Sequence, residues 1–283
     1  MVTVDFDRLA VKPGFKILDI GCGSGRHTCA AYRYQNVTVI GVDLNFKDVT
    51  EAEERLKLHD RLGEHGGGVW GLSVTDATCL PFMDEYFDIV ICCEVLEHIV
   101  QYQIALKEIV RVLKPGCDLV VSVPRGWPER ICWTLSRDYH ITRGGHVRIF
   151  KQSDLITDLE NSGVKKWAVH FAHSLHTPFW WLKCLVGPNR NDSMPVNLYH
   201  RFLTWDIMKQ PRCTRFLENL LNPILGKSVV IYLRKECPFE GSEVQFTTEQ
   251  ALPDRRLFQE SSFPHNRPGP DSFFPAPDDF PTG

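Results

Sequence analysis

Three aspartates and a run of glycines stand where a ligand could be held. Asp19 leads into Gly21-Cys22-Gly23-Ser24-Gly25, in which alternate residues are glycine. Glycines let a chain turn tightly and let a ligand approach main-chain N–H groups. Asp43 follows Gly25 by 18 residues, and an acid there can accept hydrogen bonds from both hydroxyls of a ribose. Asp76 lies further on, where a carboxylate can accept from an adenine amino group. Taken singly, such acids are more often helix caps or solvated loop residues. Taken together, at three strand ends, they outline one nucleoside pocket. A dinucleotide fingerprint needs its third glycine at position 26, where this chain has Arg26. A carboxylate at Asp19 would repel a phosphate and attract a cation. The loop therefore favours a positively charged or uncharged nucleoside over NAD.

The elements that must position these residues are legible as alternating patterns. Apolar runs at 16–20, 37–42, 69–74, 88–93 and 118–123 read as strands. The intervening stretches 26–34 and 47–62 read as helices. After the fourth strand, Tyr102, Ala105, Leu106, Ile109, Val110 and Leu113 recur at helical spacing and form one apolar face. Lys114-Pro115-Gly116 stops that helix. Strands apolar almost throughout, separated by amphipathic helices, predict a parallel sheet covered on both faces. That is the doubly wound, Rossmann-like α/β architecture.

Beyond residue 124 the pattern loosens. Residues 125–148 carry Arg125, Arg130, Arg137, Arg143 and Arg148 around Trp127 and Trp133. Ser153 can cap a helix ending at Asn161, with Gly163 just beyond. Strand-like stretches return at 166–175 and 228–233. The roughly 50 residues between them are too many for a turn and read as a helical insertion, 176–226, that could cover a site. From 237 to 283 there are eight prolines, eight acids and three arginines. Such composition predicts a disordered acidic tail. The expected organisation is a core of 1–175 and 227–236, the insertion 176–226, and the tail 237–283.

The segments ILDIGCGSG, VIGVD, LPFMDEYFDIVICCEVLEHI (80–99) and VLKPGCDLVVSVP (112–124) resemble, in order and spacing, the motifs of class I S-adenosylmethionine-dependent methyltransferases. The resemblance is strongest to the type 11 subgroup that contains ubiquinone- and menaquinone-biosynthesis methyltransferases. It covers 16–124 well and extends weakly through 144–164 and 228–235. It implies a seven-stranded sheet with its last strand antiparallel and S-adenosylmethionine as cofactor. Carried over by position, it implies that Asp19, Gly21, Cys22, Gly23 and Gly25 wrap the methionine part. Asp43 and Leu44 would lie at the ribose, Asp76 and Ala77 at the adenine, and Cys93 and Glu94 near the sulfonium. The charge reading agrees, because this ligand carries a sulfonium and no phosphate.

Methyl transfer from a sulfonium is an in-line displacement that gains from alignment and modest acid–base help. A carbon or phenol nucleophile needs a proton removed, and His98 and His146 are the candidate bases; either could equally serve in capping or packing. Glu94-x-x-Glu97-His98 resembles a segment tied to magnesium in some quinone-ring O-methyltransferases. On a helix, that i, i+3, i+4 spacing would share a face. Related segments without a metal are the commoner case, so no metal is expected. Phe179, Trp180, Trp181, Tyr199, Phe202 and Trp205 enrich the insertion, which fits a small lipophilic or aromatic acceptor such as a quinone, isoprenoid, lipid or polyketide. Lys183, Arg201 and Lys209 flank them, so a peripheral membrane contact is a further expectation. An RNA or protein methyltransferase using the arginines of 125–148, a non-catalytic cofactor-binding or assembly module, and an NAD(P) oxidoreductase are the alternatives. Arginine-rich loops are more often solvated rims, and Arg26 and Asp19 disfavour the last.

Composition bounds the rest. The 283 residues are 43% hydrophobic and 24% charged with a net charge of −3, which excludes a wholly disordered or collagen-like chain and gives no bulk attraction to nucleic acid. No run approaches the roughly 20 apolar residues that span a bilayer, and residues 1–14 lack the order of a secretory signal. A cytoplasmic location is the default expectation. The ten cysteines include no Cys-x-x-Cys pair. Adjacent Cys92 and Cys93 would point to opposite sheet faces, so reduced thiols are expected.

Overall fold

The computed structural model describes residues 2–141, 146–188, 190 and 192–237. All lie in one compact unit, Met1–Phe239. The predicted acidic tail lies outside the described residues, apart from Cys237.

Five strands run parallel: β1 (Lys16–Ile20), β2 (Thr38–Asp43), β3 (Val69–Val74), β4 (Phe87–Cys93) and β5 (Leu113–Pro124). Two more, β6 (Val164–Ala172) and β7 (Ser228–Lys235), complete a seven-stranded sheet of order β3-β2-β1-β4-β5-β7-β6. β7 is antiparallel to both of its neighbours. From β1 the chain winds outward through β2 and β3, then returns to β4 on the other side of β1. The crevice between β1 and β4 is therefore the switch point where open α/β sheets bind ligands.

Alternation along the strands divides the core. Leu18, Ile20, Val90, Cys92 and Val121 face α3 (Tyr102–Val112) and α6 (Gln152–Asn161). Ile17, Ile89, Ile91, Cys93 and Val120 face α1 (Arg26–Tyr32), α2 (Phe46–Leu62) and the short turn Phe6–Arg8. Cys92 and Cys93 thus enter opposite cores, and all ten cysteines are free. The apolar face expected on α3 is buried at Ala105, Leu106, Ile109 and Val110. Leu106, Ile109 and Val110 each stabilise the fold by about 1.5–3 kcal/mol.

Lys114 to Gly116 ends the helix as expected but lies within β5. Leu113 pairs with Phe87 and the ladder resumes only at Asp118 with Ile89, so the residues between them bulge out. Ser153 does not cap α6. The cap position is Lys151, and the Ser153 hydroxyl donates to Asp154 within the first turn.

After β5 come α4 (Gly126–Leu135) and α5 (Arg137–Ile141). Between β6 and β7 lie α7 (His176–Val186), α8 (Met194–Lys209) and α9 (Arg212–Leu225). These are the helices expected of 176–226. Among the described residues, no helix is long and apolar enough to cross a membrane.

Candidate active site

The glycine run forms the turn from β1 into α1. Gly21, Gly23 and Gly25 have φ of +66°, +50° and +80°, a region that side chains rarely tolerate. A Cβ on Gly21 would collide with Val95, just beyond β4, so the glycine loop and the segment after β4 are in contact at the switch point. A Cβ on Gly23 would meet nothing within 4 Å. That open space lets a ligand approach the turn closely.

Asp19 does not line this space. It is 1% exposed and accepts a 2.6 Å hydrogen bond from the Thr28 hydroxyl, which ties α1 to β1 beneath the loop. Burial pushes its carboxyl up to about 7, against the lowering effect of Thr28. Its role in the structure is to brace the turn. Cys22 is buried, and its thiol donates to the Gly23 carbonyl.

Asp43 stands at the end of β2 as expected. One carboxylate oxygen accepts from the Gly23 N–H at 2.9 Å and the other from the Asn45 N–H at 2.9 Å. It joins the glycine loop to the start of α2, which Asn45 caps through the Lys47 N–H. Leu44 beside it is exposed. Asp76, two residues past β3, turns one oxygen to the N–H and hydroxyl of Thr78 at 2.8 and 2.7 Å. Those bonds hold its carboxyl below the usual range. Its neighbour Ala77 packs on the core.

After Cys93, Glu94 takes a φ of +58°, a strained backbone for a side-chain-bearing residue that costs about 1–3 kcal/mol. Its N–H donates to the Ser122 carbonyl, and its carboxylate accepts from the Ser122 hydroxyl at 3.0 Å. This kink overturns the idea that Glu94, Glu97 and His98 share a helical face, because 94–98 is a turn. Glu94 is drawn to β5. Glu97 and His98 instead gather with His146, their ligating atoms all within 4.8 Å. Two imidazoles and one carboxylate suit magnesium poorly, since that ion takes oxygen ligands.

Two contacts of the following residues hold the segment that carries His146. The Val147 N–H donates to the Glu97 carbonyl, and Arg148 donates to the Val100 carbonyl at 2.6 Å. The Nδ1 of His146 lies 2.6 Å from Glu129 Oε1, a carboxylate that α4 buries to 2% exposure. Burial opposes ionisation of Glu129, but the hydrogen bond and charge of His146 outweigh it and hold the carboxyl below its usual range. An ionised partner orients the ring by accepting from its Nδ1 side. Nε2 stands 4.0 Å from Glu97, which is 1% exposed with neither oxygen hydrogen-bonded. Burial raises the Glu97 carboxyl well above the usual range. His98 is exposed, its ring 5.0 Å from that of His146.

Glu129, Thr28 and Ser122 were not foreseen. Nothing in the spacing of Glu129 and His146 marks them as partners, because the tertiary fold alone joins α4 to the segment after residue 145. The aromatic cluster does border this site. Tyr139 packs against His146 and Trp180, and Trp181 donates from its indole to the Pro128 carbonyl. Two of the arginines offered to nucleic acid serve the fold. Arg125 bonds the carbonyls of Pro223 and Ile224, and Arg148 lies over Tyr102. A separate cavity of about 570 Å³, lined by Thr3, His170, His173 and Glu218 among others, contains none of the predicted site residues.

Comparison with known proteins finds similar chains. Residues 18–121 match the family model of a methyltransferase domain. The ubiquinone/menaquinone biosynthesis C-methyltransferase UbiE of Bordetella avium is 37% identical over 114 residues, which is 40% of this chain and 43% of that protein. Cycloartenol-C-24-methyltransferase 1 of Oryza sativa subsp. japonica is 30% identical over 151 residues, 52% of this chain and 39% of that one. The chain spans about two-fifths of the length of the curated relatives it matches. A SAM-dependent methyltransferase structure from Methanosarcina mazei superposes with a TM-score of 0.55 at 18% identity, covering 84% of this chain and 100% of that one; at that identity the likeness speaks for the fold. Residues 18–121 therefore match a methyltransferase domain, set in a sheet with the fold of S-adenosylmethionine-dependent methyltransferases.

Proposed function

We propose that the chain transfers a methyl group from S-adenosylmethionine to a small lipophilic acceptor, with His146 taking the acceptor's proton. The observation that carries this reading is the 2.6 Å pair of His146 and buried Glu129 beside the switch point. Glu129 is a positioning residue: it sets the tautomer and orientation of the ring, so that Nε2 accepts the proton. The buried Glu97, whose carboxyl burial raises well above its usual range, stands on the Nε2 side of the ring.

The bare backbone at Gly23, with Asp43, Leu44, Asp76 and Ala77, would hold the cofactor. Asp19 would act through the loop it braces, and Cys93 and Glu94 would border the transferred group. When bound, the sulfonium supplies an activated methyl group for displacement. The helices of 176–226 would roof the acceptor with Trp180 and Trp181, which already pack against α4 and Tyr139. A lipophilic acceptor is supported by these aromatics and by relatives named for quinone, cycloartenol and squalene methylation. The inward engagement of Arg125 and Arg148 counts against an RNA acceptor.

The test is incubation with methyl-labelled cofactor and a panel of quinols, phenols and isoprenoid alcohols or alkenes, read by mass spectrometry. Label should reach a carbon or phenolic oxygen of a lipophile, with turnover insensitive to salt. Glu129→Gln should lower kcat about 10²-fold while the affinity for S-adenosylhomocysteine stays at the wild-type value. Label appearing only in added RNA or protein would overturn the reading.

A further inference from the structure

The α9 helix is inside out. Phe216, Leu217, Leu220 and Ile224 form one stripe, and three of them are 72%, 61% and 65% exposed (Phe216, Leu220 and Ile224). The opposite side carries Thr214, Glu218 and Asn222, which face the protein: Thr214 and Glu218 are each 7% exposed, and Asn222 accepts from the Ser174 N–H. A helix on a protein surface ordinarily does the reverse. The preceding helix, α8, packs on an apolar side yet also carries large apolar residues outward. It buries Val196, Leu203 and Asp206 and presents Leu198, Phe202, Trp205 and Met208 to the outside. An ion-pair seam joins the two inner sides, with Arg215 bonded to both Asp206 and Glu218. Both helices therefore present large apolar side chains outward, and the seam fixes them side by side.

The charges say what medium this surface meets. Residues 176–226 contain six basic and three acidic residues. Two of the acids, Asp206 and Glu218, are the buried ones paired with Arg215, which leaves Asp192 as the exposed acid. Arg201 and Lys209 lie on the outward side of α8, at i+3 and i+11 from Leu198, and Arg212 opens α9; all three are exposed. Large apolar side chains fringed by cations, with acids withdrawn inside, match an interface whose surface is negative and whose interior is hydrocarbon. We infer that α8 and α9 dock this chain onto anionic lipid bilayers, with their apolar stripes in the acyl boundary and Arg201, Lys209 and Arg212 at the headgroups. This does not depend on methyl transfer and can fail or hold separately from it.

The full chain would be sedimented with vesicles of phosphatidylcholine, alone or with phosphatidylglycerol. Binding should be at least tenfold stronger to the anionic vesicles. The double variant Phe216→Ser, Leu220→Ser should lose at least tenfold in partition while keeping the wild-type circular dichroism and melting temperature. Lys209→Gln with Arg212→Gln should reduce the preference for phosphatidylglycerol severalfold. Three results would overturn the inference: wild-type protein remaining in the supernatant with both vesicles, the serine variant binding as well as wild type, or light scattering showing a dimer that the serine variant converts to monomer, which would make a second copy the occupant.

Discussion

Asp19 carries a pH signature that can be measured without any substrate. Its ordinary value is 3.8 and burial raises it to about 7, so between those values the folded chain holds a proton that the unfolded chain has lost. Stability therefore falls as pH rises from about 4 to about 7, and this contribution is flat above that. Buried Glu97 acts in the same direction. In Asp19→Asn the carboxyl is gone, so its share of the slope goes too. Melting temperatures taken across pH 4.5–8 should decline less steeply for the variant than for wild type. An unchanged slope would mean that Asp19 is not protonated in the folded state. At this scale the sequence was a partial guide. Asp43 and Asp76 lie where strand ends put them. The buried setting of Asp19 depends on Thr28, and the partnership of His146 depends on Glu129; both are contacts between separate elements that no local spacing encodes.

Among the elements, α9 depends on a residue far from it in sequence. Its last turn contains Pro223 and leaves carbonyls without intrahelical donors. Arg125, from the end of β5, supplies donors to Pro223 and Ile224 at 2.9 and 3.0 Å and stacks over Phe171 at 4.0 Å. Arg125→Ala should cost about 1 kcal/mol and raise amide exchange at the C-terminal end of α9 while leaving α3 protected. Equal exchange in both proteins would show that other contacts hold the helix. The strands and helices up to residue 124 were legible because each buries both faces or one stripe, and burial writes a period into the sequence. The turn at 94–98 was misread as helix because its residues have helical spacing. What sets it is the left-handed Glu94, held by Ser122 of a neighbouring strand. Helices were foreseen in 176–226, but the outward face of α9 was not, since an apolar stripe looks the same from sequence whether it meets protein or not.

At the scale of the molecule, winding order does the work. Placing β1 beside β4 brings the glycine loop, the acids after β2 and β3, and the Glu97–His146–Glu129 group to one edge of the sheet. The same order lets two long insertions, after β5 and after β6, reach that edge, where α4 and α7 meet. The chemistry then follows from what the notch admits: bare backbone at Gly23, carboxylates at its rim, and no third glycine for a pyrophosphate. The most direct test is calorimetric titration of the full chain with S-adenosylhomocysteine and, separately, with NAD. One-to-one binding of S-adenosylhomocysteine is predicted, weakened at least tenfold, or about 1.4 kcal/mol, by Asp43→Ala, with no heat from NAD. Saturable binding of NAD and none of S-adenosylhomocysteine would contradict it.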